Sequence, residues 1–102
     1  SYGEYIDIMS QFATDYPSLC EVVSIGQSVE GRDLLFIHIN DSLGVEQAEP
    51  EFMYTSSMHG DEITGYVLML HLIEYLLEKH GEDEQITKLV NSVDIWINQI
   101  GR

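Results

Sequence analysis

Apolar residues recur every three or four positions over the first stretch of the chain: Tyr2, Tyr5, Ile6, Met9, Phe12, Ala13 and Tyr16. That spacing lays an apolar stripe along one side of an α-helix, and Pro17 closes it. From Glu21 to Val29 the period shortens to a loose alternation, with Val23, Ile25 and Val29 on one side, which reads as a β-strand. Glu30-Gly31 is a turn signal and Arg32 to Asn40 a second strand, so the pair predicts a β-hairpin. Leu34, Leu35, Phe36, Ile37 and Ile39 make the second strand apolar on both faces, as a strand well inside a sheet requires. His38 interrupts it and reads as a satisfied core or edge residue rather than a ligand.

Asp41 to Glu51 reads as a loop, because Asn40-Asp41-Ser42, Gly44 and Pro50 are turn formers. Phe52 to Met58 is the third strand. Asp61 to Lys79 is the principal helix. Its apolar residues Ile63, Tyr66, Val67, Leu70, Ile73, Leu76 and Leu77 lie almost all round it, so it needs cover on more than one side. Heavy burial is expected at Tyr66, Val67, Leu70, Ile73 and Leu77. His80-Gly81 ends that helix. Asp83 to Asn91 predicts a short helix with Ile86, Leu89 and Val90 on one side, and the alternation of Val93, Ile95 and Ile97 predicts a fourth strand. Strands separated by helices of this length indicate an α/β fold, a mixed β-sheet with flanking helices. Neither a repeat nor a low-complexity segment is present.

Length and composition narrow the classes. A chain of 102 residues makes one domain at most, and 44% apolar residues place it among globular chains. No apolar run reaches the length of a membrane span, and the N-terminus lacks the pattern of a signal peptide. The absence of an initiating Met favours a mature or excised piece. Four basic against 18 acidic residues give a net charge of −14, which repels nucleic acid and anionic membranes. The plainest consequence of that charge is solubility; attraction of cationic substrates or metal ions is the functional alternative. Cys20 is the single cysteine, so no internal disulfide forms and the compartment is left open.

Candidate chemistry sits between the third strand and the principal helix, in Tyr54-Thr-Ser-Ser-Met-His-Gly-Asp-Glu-Ile-Thr-Gly65. His59 and Glu62 form a His-x-x-Glu pattern on a strand-to-helix turn, where an imidazole and a carboxylate can converge on one point. Zn²⁺ takes such ligands, and a catalytic site uses three of them with one open position. Gly60 permits a sharp turn. The same pattern recurs at His71 and Glu74, but within the helix, where the spacing merely puts both on one face; that pair reads as a polar stripe. Ligands of open α/β sheets gather at the carboxyl ends of strands, which is where His59 stands.

Several segments in order carry a family likeness. Ser24-Ile-Gly-Gln-Ser-Val-Glu-Gly-Arg32-Asp-Leu, then Glu49-Pro-Glu-Phe-Met-Tyr-Thr-Ser-Ser-Met-His-Gly-Asp-Glu62, then Leu70-His-Leu-Ile-Glu-Tyr-Leu-Leu77, resemble the zinc metallocarboxypeptidases, most closely their regulatory branch. The resemblance covers nearly the whole chain and implies the N-terminal portion of that catalytic domain. It implies that His59 and Glu62 are the first two zinc ligands and that Arg32 is a structural hairpin residue. No position matches the family's later His ligand, its substrate-gripping arginines, its capping tyrosine or its general-base glutamate. The resemblance therefore implies a parent protein that hydrolyses the C-terminal peptide bond of peptides or proteins with one Zn²⁺, and a segment that is inactive alone and prone to self-association. It suggests secretion or a periplasmic location, and only the branch likeness points to a basic C-terminal residue as substrate. Two other classes stay open: a non-catalytic binding or assembly module on this fold, and an amidase of the same scaffold.

Overall fold

The computed structural model describes residues 2–27, 29, 31, 33–57 and 62–100, with the backbone alone described at 2, 56–57, 62–66 and 99–100. The chain runs α1 (Tyr2–Asp15), β1 (Cys20–Gln27), β2 (Asp33–Ile39), β3 (Glu51–Ser57), α2 (Glu62–Lys79), α3 (Glu84–Ser92) and β4 (Asp94–Ile100). Each element read from the sequence is present, and β4 runs to Ile100, past the Ile97 that closes its alternation. The sheet is mixed, in the order β1-β2-β4-β3. β1 and β2 form the antiparallel hairpin, β4 is antiparallel to β2, and β3 runs parallel to β4. The parallel pair needs a long crossover, and α2 with α3 supplies it.

Two in-register rows cross all four strands: Cys20, Ile39, Ile95 and Phe52, then Val22, Ile37, Ile97 and Tyr54. Residues level with one another in a sheet share a face. This face meets the helices. Met9 of α1, Met69, Ile73, Leu76 and Leu77 of α2 and Val90 of α3 form one buried cluster with Cys20, Ile37, Ile39, Ile95 and Ile97. Burial pushes the Cys20 thiol up to about 12, with the nearby Glu21 carboxylate adding to the effect.

Local chemistry sets the helix ends. Gly81, at φ +90°, takes the left-handed conformation after α2, where a residue without Cβ costs least. Asp83 caps α3 by accepting from the Ile86 N–H at 3.0 Å.

Two sequence expectations are corrected. On β1 the alternation puts Val23, Ile25 and Val29 on one side, yet Cys20 is the buried residue and Ile25 and Val29 are exposed. The β1–β2 register shifts between Ser24 and Gln27, so no single alternation runs the length of the strand. On α2, Ile73 and Leu77 are buried and Leu70 is half-buried, but Val67 is 41% exposed. Val67 lines an open groove between α1 and α2, with Ile8, Phe12 and Leu70, instead of facing the sheet. The side chain of Tyr66 lies outside the described residues.

Candidate metal centre

β3 ends at Ser57, level with Ile100 of the parallel strand β4, and α2 starts at Glu62. Ser57 therefore stands at the carboxyl end of two parallel strands, where open α/β sheets collect ligands. Gln27 at the end of β1 and Asp33 at the start of β2 lie toward the same end of the sheet, because β2 is antiparallel to β4. His59 lies outside the described residues, and so does the side chain of Glu62. The backbone of Glu62 is the first helical residue of α2. An imidazole and a carboxylate are a donor set that suits Zn²⁺.

The second His-x-x-Glu pair behaves as a polar stripe. His71 and Glu74 are exposed on α2, on the rim of the groove that Val67 lines. Arg32 lies outside the described residues.

The other sheet face holds a polar cluster that sequence reasoning did not assemble. Glu21, His38, Trp96 and Met53 are level across the four strands. His38 Nδ1 is 2.7 Å from Glu21 Oε2, and Nε2 hydrogen-bonds Asp94 Oδ1. Asn40 Nδ2 donates to Asp94 Oδ1 at 2.8 Å and to Glu49 Oε1 at 3.0 Å. Trp96 Nε1 donates to Asp94 Oδ2 at 2.9 Å. Burial alone would raise Asp94, but hydrogen bonds from His38, Trp96 and Asn40, together with the His38 charge, hold its carboxyl below the usual carboxylate range. The cluster fastens β1, β2, β4 and the loop before β3 to one another. His38 is thus satisfied, as its lone position in an apolar strand suggested. Its partner Asp94 was not legible, because nothing local says that β4 inserts beside β2.

Among the described residues no three His, Cys, Asp or Glu side chains are placed to hold a metal ion. Also among them, no helix is long and apolar enough to cross a membrane.

A family model described as zinc carboxypeptidase matches residues 5–99. Carboxypeptidase D of Mus musculus is 46% identical over 90 residues, which are 87% of this chain and 6% of that protein. The chain thus spans a small fraction of the curated relatives it matches. Among solved structures, carboxypeptidase A from Helicoverpa armigera is similar at TM-score 0.77 and 26% identity, over 96% of this chain and 23% of that one. The thrombin activatable fibrinolysis inhibitor (TAFI) shares the fold at TM-score 0.82 and 19% identity, over 96% of this chain and 24% of its own.

Proposed function

The chain belongs to the zinc carboxypeptidase family, and from that premise we propose that it is the N-terminal portion of a zinc-dependent carboxypeptidase acting on the C-termini of peptides or proteins. The observation that supports this reading is that β3 ends at Ser57 beside its parallel neighbour β4 and that α2 begins at Glu62. His59 and Glu62 would hold the zinc through one imidazole nitrogen and one carboxylate oxygen. When bound, Zn²⁺ polarises a scissile carbonyl and acidifies a water.

The chain's own contribution is to anchor the helix that follows β3. Glu62 begins a helix of 18 residues. α2 is anchored to the sheet through Met69, Ile73, Leu76 and Leu77, so the start of the helix is held by a packed core. Neither ligand is an acid or base in this reading, and the 102 residues alone are expected to release no C-terminal residues.

The test uses the full-length protein. His59→Ala and Glu62→Ala are each expected to abolish stoichiometric zinc and release of C-terminal residues while leaving the fold intact by circular dichroism. Variants with wild-type zinc content and rate would refute the assignment.

A further inference from the structure

The turn after β2 carries a motif that the proposed metal site does not use. Asn40-Asp41-Ser42 is an Asn-x-Ser triplet without a central proline, the acceptor pattern for N-linked glycans, which ordinarily stands on an exposed loop. Here Asn40 is only 5% exposed, and its side-chain amide is fully engaged. Oδ1 accepts the Ser42 N–H at 2.8 Å. Nδ2 spends its two hydrogens on Asp94 Oδ1 at 2.8 Å and Glu49 Oε1 at 3.0 Å. We propose that Asn40 is a glycan acceptor of the unfolded chain alone: folding closes the site, and a chain glycosylated there cannot complete the cluster around Asp94.

The transfer and the native hydrogen bonds compete for the same atom. The donor is a lipid-pyrophosphate-linked oligosaccharide. Its sugar C1–O bond breaks, a C1–Nδ2 bond forms, and the lipid pyrophosphate and one Nδ2 proton leave. The product amide keeps a single N–H, so either Asp94 or Glu49 loses its donor, which is costly for a group shielded from water. Space is against it as well. A C–N single bond of about 1.45 Å sets the sugar carbon well inside the 2.8 and 3.0 Å at which the two carboxylate oxygens stand. Asp94 is held in place by His38, by the Trp96 indole N–H and by its own backbone N–H, which donates to the Pro50 carbonyl at 2.9 Å. On the other side Glu49 is half-buried, so a sugar there would have to expel it and still emerge from an almost enclosed residue.

Chain order leaves the site open first. Asp94 lies 54 residues after Asn40 and belongs to β4, which follows β3, α2 and α3. During synthesis Asn40 therefore emerges before the cluster has its central carboxylate, and glycan transfer competes with folding for one amide nitrogen.

The test expresses the full-length protein behind a secretion signal in a host that attaches N-glycans, and separates released from retained chains. Peptide-N-glycosidase in heavy-oxygen water converts a glycosylated Asn40 to labelled Asp, which peptide mapping reads. Asn40 is expected to be unmodified in released protein that resists limited proteolysis, and glycosylated among retained chains. Ser42→Ala destroys the acceptor pattern but keeps the bonds of the Asn40 amide, because Ser42 contributes its backbone N–H; a larger released share is expected. Asp94→Ala removes the carboxylate that closes the site and is expected to raise the glycosylated fraction of all chains. A glycan on Asn40 of released, protease-resistant protein would overturn the proposal. So would a glycosylated fraction unchanged in Asp94→Ala. An Asn40 left bare in both fractions, with Ser42→Thr as well as with serine, would also overturn it, since folding would then not be what closes the site.

Discussion

The His38 imidazole lies flat against the Trp96 indole, ring centroids 4.0 Å apart and planes 14° from parallel. The contact follows from register: the two are Cα partners in the antiparallel β2–β4 ladder, so their side chains leave the sheet on the same side. Trp96 also meets Phe36 edge-on at 6.2 Å and donates to Asp94. One indole thus links an aromatic neighbour, an imidazole and a carboxylate. Trp96→Leu is expected to cost about 2–4 kcal/mol, the range for losing a packed aromatic and a hydrogen bond. Urea unfolding followed by far-UV circular dichroism measures it, and a loss below about 0.5 kcal/mol, the level of an inert surface change, would contradict the packing described.

Asp94 makes stability depend on pH in a definite direction. Its folded value is depressed, so the stability it contributes is present above the ordinary aspartate value of about 3.9 and is lost as the pH falls through the lowered folded value. Asp94→Asn is therefore expected to be less stable than wild type at about pH 6, with the gap closing below about pH 3. Parallel denaturation curves of the two proteins across that range decide it. A gap that widened on acidification would reverse the sign argued here.

Burial on α2 separates two residues that periodicity treats alike. Ile73 is fully buried, whereas Val67 is 41% exposed. Ile73→Ala is expected to lose about 2–5 kcal/mol through lost transfer energy and a residual cavity, and Val67→Ala less than about 1 kcal/mol, since much of that side chain already meets water. Equal losses in thermal or chemical unfolding would show that the groove beside Val67 is closed in solution.

The 102-residue chain by itself is predicted to self-associate. Among the described residues β3 has a sheet neighbour on one side only, and Phe52 and Met53 on it are 51% and 62% exposed. An open, apolar strand edge is a template for pairing with another chain. Sedimentation velocity over a range of concentrations is the check, and a monomer at every concentration would count against the prediction.

The chain's local patterns were enough for the elements and for the candidate ligands. Helix and strand periods mark α1, α3 and β4 because side-chain direction repeats within a few residues, and apolar runs mark α2 and β2. The α/β class follows from their alternation, and the His-x-x-Glu at 59–62 stands out because it falls where a strand period gives way to a helix period. Tertiary structure decided what those periods cannot carry. That β4 inserts between β2 and β3 is a choice between distant segments, and only that choice brings Asp94, 56 residues away in sequence, to His38. The shift between Ser24 and Gln27 likewise depends on how two strands meet, so a single alternation does not mark the buried side of β1. Val67 and Ile73 belong to one apolar helix, and their different exposure depends on where α1 and the sheet lie against it. Periodicity is a property of neighbours along the chain, whereas register and cover are settled by contacts across it.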